Sequence, residues 1–153
     1  MGQPSFRLEF SIEGEKSLSR RLMGVSYDLQ SFADPFEEIG GGLLKTFQLN
    51  FAQEGKLFGG WPERKPVYKN GERVDTWPLL NKTGTMMESF DMAATDTRLV
   101  LFNTADWFKY HQSRRRRTSN LPRRVMMMLT NDSKQMIVKT FQKYVSRAIT
   151  KRR

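Results

Sequence analysis

A chain of 153 residues is long enough for one self-standing domain that buries roughly two-thirds of its unfolded surface. It carries 26 lysines and arginines against 16 acids, a net charge of +10, with a mean hydropathy of −0.62. The absence of cysteine excludes disulfides and thiolate metal sites, and a single histidine excludes a multi-histidine metal centre. No apolar run approaches bilayer length, and Met1-Gly2-Gln3-Pro4 lacks the apolar stretch of a secretion signal, so a soluble protein is expected. Met1-Gly2 is only a fragment of a myristoylation signal, because Phe6 stands where Ser or Thr is wanted.

Phe6, Leu8, Phe10 and Ile12 alternate with Arg7, Glu9, Ser11 and Glu13, a period of two that predicts a half-buried strand ended by Gly14. Leu18, Leu22, Val25 and Leu29 then recur at helical spacing. A second helix is expected to open at Asp34-Pro35, with Asp as its cap and Pro in its first position. Its apolar stripe is Phe36, Ile39, Leu43, Phe47 and Phe51. Gly40-Gly41-Gly42 interrupts good helix chemistry at about 1 kcal/mol per glycine and points to a close helix crossing or a kink. A phosphate-binding loop is not supported there, since no strand leads in and no Lys-Ser/Thr follows.

Residues 55–80 read as an irregular arm or loop, punctuated by glycines and prolines and bracketed by Trp61 and Trp77. Within it, Lys69-Asn70-Gly71-Glu72 predicts a hairpin turn. A short helix over Leu79–Phe90 follows, then strands over Asp91–Thr95 and Arg98–Asn103 and one helical turn over Thr104–Tyr110. Residues 112–121 form a basic loop around Arg114–Arg117, and Val125–Leu129 reads as a strand. Thr130-Asn131-Asp132 caps a last helix whose inner stripe is Ile137, Phe141, Tyr144, Val145, Ala148 and Ile149; residues 150–153 are a basic tail. The order predicts a single α+β domain: a small, largely antiparallel sheet packed against two to three long helices, with an extended arm.

The titratable residues do not compose an active site. Glu37-Glu38 lies where a helix start favours negative charge, and Asp91, Asp96 and Asp106 fall at turns and strand ends, where Asp is common for local reasons. His111 lacks a placed nucleophile, and Ser89 and Ser113 lack a nucleophile elbow. An enzyme is not expected, and no metal or cofactor is implied.

Charge is the stronger signal. From Lys109 to the end the chain holds 14 cations and one acid, a net of +13, which leaves −3 on residues 1–108. Arg114, Arg115, Arg116, Arg117, Arg123, Arg124, Lys151, Arg152 and Arg153 are the candidate contacts to DNA phosphates or an acidic partner. Four adjacent guanidiniums face water or a polyanion, because burying them together is prohibitive. Trp61, Trp77, Met126, Met127 and Met128 are candidates for a subunit interface, with core filling as the alternative for the methionines.

Four segments, taken in order, carry a resemblance. They are Trp61-Pro62, Leu80-Asn81-Lys82-Thr83-Gly84 through Ser89-Phe90, Tyr110-His111-Gln112, and Leu121-Pro122-Arg123-Arg124. Over roughly residues 5–150 the arrangement resembles the virion-morphogenesis, or tail-completion, proteins of tailed bacteriophages, including the Mu-type members. Val125-Met126-Met127 departs from the Pro-Phe-aliphatic sequence usual after Pro-x-Arg, and neither the triple glycine nor the arginine run is a family hallmark. The resemblance implies a non-enzymatic subunit of a neck ring that joins the tail to the head-side connector around the DNA channel. It further implies self-association, a hexamer or a twelvefold collar, beside connector and tail-tube or terminator proteins. DNA would be touched through phosphates only and no membrane is involved. The protein would reside in the virion neck after assembly in the bacterial cytoplasm. The competing expectation is a small nonspecific nucleic-acid-binding protein that uses its basic last third.

Overall fold

The structure is a computed structural model and describes residues 6–11, 31–113 and 121–150. The helix expected over Leu18–Leu29, the Arg114–Arg117 run and the Lys151-Arg152-Arg153 tail lie outside the described residues. The fold is α+β. In chain order it runs β1 (Phe6–Ser11), α1 (Ala33–Ala52), a 3-10 turn (Lys56–Phe58), β2 (Tyr68–Lys69) and β3 (Glu72–Arg73). Then follow α2 (Thr85–Glu88), β4 (Phe90–Ala94), β5 (Arg98–Asn103), α3 (Phe108–Gln112) and α4 (Asn131–Thr150). One sheet has the order β1-β5-β4; β2 and β3 make a separate antiparallel ribbon with Tyr68 opposite Arg73 and Lys69 opposite Glu72.

The described residues fall into two compact units. The first holds those of Arg7–Lys45, Met92–Leu101 and Leu129–Arg153. Ser31 opens α1 here: its hydroxyl accepts the Ala33 N–H at 3.1 Å and donates to Asp96, so the capping hydroxyl sits three residues before the expected Asp34. Phe36, Ile39 and Leu43 are 2% exposed or less, and each such side chain contributes about 1.5–3 kcal/mol on burial. The glycines divide their work. A methyl on Gly40 would overlap Met92 Sδ and come within 3.1 Å of Leu99, so α1 approaches the strands there; Gly42 faces Met136 of α4 at 3.2 Å, and Gly41 faces open space. Phe141 of α4 meets Phe36 edge-on at 5.6 Å and Phe32 at 5.9 Å, while the Tyr144 hydroxyl donates to the Ser31 carbonyl at 2.7 Å. Thr130 caps α4 as predicted, its hydroxyl accepting Ser133 N–H at 3.1 Å. Ile149, assigned to the inner stripe by periodicity, is instead exposed, and Thr140 takes a buried place beside Ala148.

The second unit holds Phe6 and the described residues of Thr46–Asp91 and Phe102–Met128. Its centre is aromatic. Phe90 lies 5.9 Å from Phe47, 6.2 Å from Phe51 and 5.6 Å from Phe108 between ring centres, mostly edge to face. Two expectations fail here for local reasons. The helix expected over Leu79–Phe90 shrinks to Thr85–Glu88, because Leu80 (φ 57°) and Gly84 (φ 79°) sit in the left-handed region and break the turn sequence before it. Val125–Leu129 is not a strand: the chain bends at Met127, and a side chain, Gln112, bonds the Met126 and Met127 backbone in place of a neighbouring strand.

Candidate functional site

The second unit brings together the motif residues that lie far apart in sequence. α1 ends in a Schellman arrangement, Gly55 N–H donating to Asn50 C=O at 2.8 Å and Glu54 N–H to Phe51 C=O at 3.1 Å. Glu54 adopts φ 53° and Gly55 φ 85°. Gly55 is required twice over, since any Cβ would fall on the Trp61 ring. Trp61 is 8% exposed, stands edge-on to Phe51 at 5.0 Å, and donates its indole N–H to the Val125 carbonyl at 2.8 Å. The next residue, Pro62, offers its carbonyl to Arg124, which donates from Nε at 3.1 Å and Nη2 at 2.9 Å. Arg124 is 4% exposed, and that burial, with the Arg64 charge nearby, pulls its guanidinium below the ordinary arginine range.

Gln112 completes the clamp. Its Oε1 accepts Met126 N–H at 2.7 Å and Met127 N–H at 3.1 Å, and its Nε2 donates to the Met127 carbonyl at 2.6 Å. Arg124 N–H donates to His111 C=O at 2.9 Å, and Arg123 Nε to Gln112 C=O at 3.2 Å. Asn103 does for α2 what Gln112 does for residues 126–127: it donates to Met86 C=O at 2.8 Å and accepts Ala105 N–H at 2.9 Å. Thr104 N–H reaches Ser89 C=O at 3.1 Å. Trp61, Asn103, Gln112 and Arg124 spend their buried polar groups on backbone, which fixes the loops.

The arm is pinned at its root. Asp75, 3% exposed, accepts Val67 N–H at 3.1 Å and Arg73 Nε at 3.0 Å on one oxygen, while Arg64 Nε lies 3.3 Å from the other. The hydrogen bond from Arg73 holds the Asp75 carboxyl below its usual range, against the opposing effect of desolvation. A carboxylate engaged by two guanidiniums is kept ionised and has no proton to give. Glu54 Oε1 accepts Leu79 N–H at 2.9 Å where the arm returns. Trp77, partly exposed, has the Arg64 guanidinium 5.2 Å and the Lys82 ammonium 4.6 Å from its ring centre. An open groove of about 550 Å³ runs past Glu54, Arg64, Asp75, Trp77 and Leu79. Beyond the root, Asn70-Gly71 makes the predicted tight turn with φ 51° and 82°, and Val67, Tyr68 and Val74 stand exposed along the ribbon.

The sequence-derived candidates separate under this geometry. Arg124, proposed as a phosphate contact, is a buried clamp and has no surface to offer; Trp61, Met126 and Met127, proposed for an interface, are 8%, 0% and 2% exposed and fill this unit's own core. Arg123, Trp77 and Met128 keep exposed surface. Arg114, Arg115, Arg116, Arg117, Lys151, Arg152 and Arg153 lie outside the described residues. Sequence reasoning passed over Asp75, Asn103 and Trp107, and it named Gln112 only as part of the Tyr110-His111-Gln112 segment, without a role. Among the described residues no group of three or more His, Asp or Glu could hold a metal, and no helix is long and apolar enough to cross a membrane. Comparison with protein-family models, with curated proteins and with solved structures found no match.

Proposed function

We propose that the chain is a structural subunit of a phage neck or tail-completion ring, non-enzymatic, acting with further copies of itself and with connector and tail proteins in the virion. One observation carries the reading. Three of the four segments that resemble the tail-completion family grip one another: Arg124 donates to the Pro62 carbonyl and, through its N–H, to His111 C=O, and Arg123 Nε donates to Gln112 C=O. Conserving buried polar groups for loop positioning, with a projecting ribbon of exposed Val67, Tyr68 and Val74, suits a part that must present fixed surfaces to neighbours. Antibody labelling of phage particles from a host that expresses this chain is expected to mark the junction of head and tail. Particles that carry no label at that junction would sink the reading.

A further inference from the structure

Helix α3 is short, yet its position is fixed from the inside. Phe108 is fully buried against Phe90, and the Gln112 side chain is tied to the backbone of Met126 and Met127. The outward face presents two aromatic rings. Trp107 is 67% exposed, the most exposed large hydrophobic residue among the described ones, and Tyr110 is 41% exposed; their ring centres are 6.4 Å apart with planes inclined by 39°. Lys109 places its ammonium 5.3 Å from the Tyr110 ring centre, and Arg123, exposed, is anchored through Nε to the Gln112 carbonyl at the other end of the helix. Two large, exposed rings on a rigid support form a platform on which a planar partner can stack. The exposed cations beside the rings are Lys109 and Arg123, with Asp106 the one exposed acid immediately before Trp107, so a partner of negative charge fits best.

We propose that Trp107, Lys109, Tyr110 and Arg123 form a docking surface for single-stranded nucleic acid, the rings stacking on unpaired bases and the cations meeting the phosphates. A duplex keeps its bases stacked inside and has no use for exposed rings beyond its backbone. A single strand presents a π-face at every nucleotide, and aromatic platforms bordered by cations bind it without regard to sequence. An acidic protein would match the cations, but it offers no planar face at each repeat for the two rings to stack on. The proposal does not rest on the assembly reading.

The test uses the full chain and fluorescence anisotropy with a labelled oligothymidine of 20 nucleotides and a labelled 20-base-pair duplex at one fixed salt concentration. Wild type is expected to bind the single strand more tightly than the duplex. Trp107→Ala should weaken binding of the single strand about tenfold while binding of the duplex stays unchanged. Trp107→Phe should stay within a few-fold of wild type on both. Circular dichroism is expected to show all variants folded, since Trp107 lies on the surface. The proposal is overturned if the duplex binds as tightly as the single strand, if Trp107→Ala loses nothing or loses equally on both, or if polyglutamate of matched charge competes as well as oligothymidine.

Discussion

Asp75 shows how much of the arm depends on one ionisation state. Its carboxylate holds the Val67 amide, the Arg73 side chain and, by charge, Arg64, so three points along residues 64–75 converge on it. Because its pKa in the folded state lies below the ordinary value of 3.8, the stability it contributes is fully present above that value and is lost as pH falls through the folded one. The measurement is urea denaturation of wild type and Asp75→Asn across pH, followed by tryptophan fluorescence. The stability difference between the two is expected to be constant from neutrality down to about pH 5 and to close below the unfolded value. A difference that shows no decline as pH falls below 3.8 would mean that Asp75 acts through packing and not through its charge. Glu54 makes a related point about conformation. It occupies the left-handed position that glycine normally fills after a helix, at φ 53°, and its carboxylate holds Leu79 N–H. The strain is tolerated where a side chain is needed to tie the returning arm, a tie that glycine could not make.

At the scale of elements, the triple glycine of α1 resolves into three separate constraints. Gly40 lets the helix approach Met92 and Leu99, Gly42 admits Met136 of α4, and Gly41 touches nothing. Gly41→Ala is therefore expected to raise stability by about 1 kcal/mol, the ordinary helix-propensity gain with no steric cost. Gly40→Ala is expected to lose that gain to the displacement of Met92 and Leu99, ending at or below wild type. Chemical denaturation of the two variants checks the ordering, and equal stabilisation by both would show that the approach at Gly40 is loose. Much at this scale was legible in sequence. The stripe from Phe36 to Phe51 is a long, periodic signal, and the structure buries it as read; Arg98–Asn103 is the strand its apolar run predicts, with burial that alternates along it. What was not legible depended on single residues acting through space. Residues 125–129 look like a strand because they are apolar; nothing local says that Gln112, more than a dozen positions earlier, will satisfy the amides of Met126 and Met127. Arg124 reads as a surface cation because arginine is seldom buried, and its carbonyl partner lies 62 residues away. Trp107 was absorbed into an expected helical turn, whereas its exposure, not its sequence setting, makes it informative.

For the whole molecule, charge is the quantity that separates one part of the sequence from another. Residues 1–108 sum to −3 and residues 109–153 to +13. Copies that meet through unlike surfaces in a head-to-tail ring can bring acidic and basic parts together, and such a contact steers and orients association more than it adds affinity. This predicts salt-sensitive self-association. Sedimentation velocity at about 50 mM salt is expected to show larger assemblies than at about 500 mM, where screening shortens the range of exposed charges to a few ångströms. The projecting ribbon argues the opposite dependence: if Val67, Tyr68 and Val74 dominate the contact, their burial is apolar, and added salt leaves association unchanged or strengthens it. The two mechanisms part further on substitution. Tyr68→Ser abolishes an apolar contact at every salt concentration but leaves an electrostatic one at low salt. A chain that shows neither dependence and stays monomeric at high protein concentration would count against self-association through either surface.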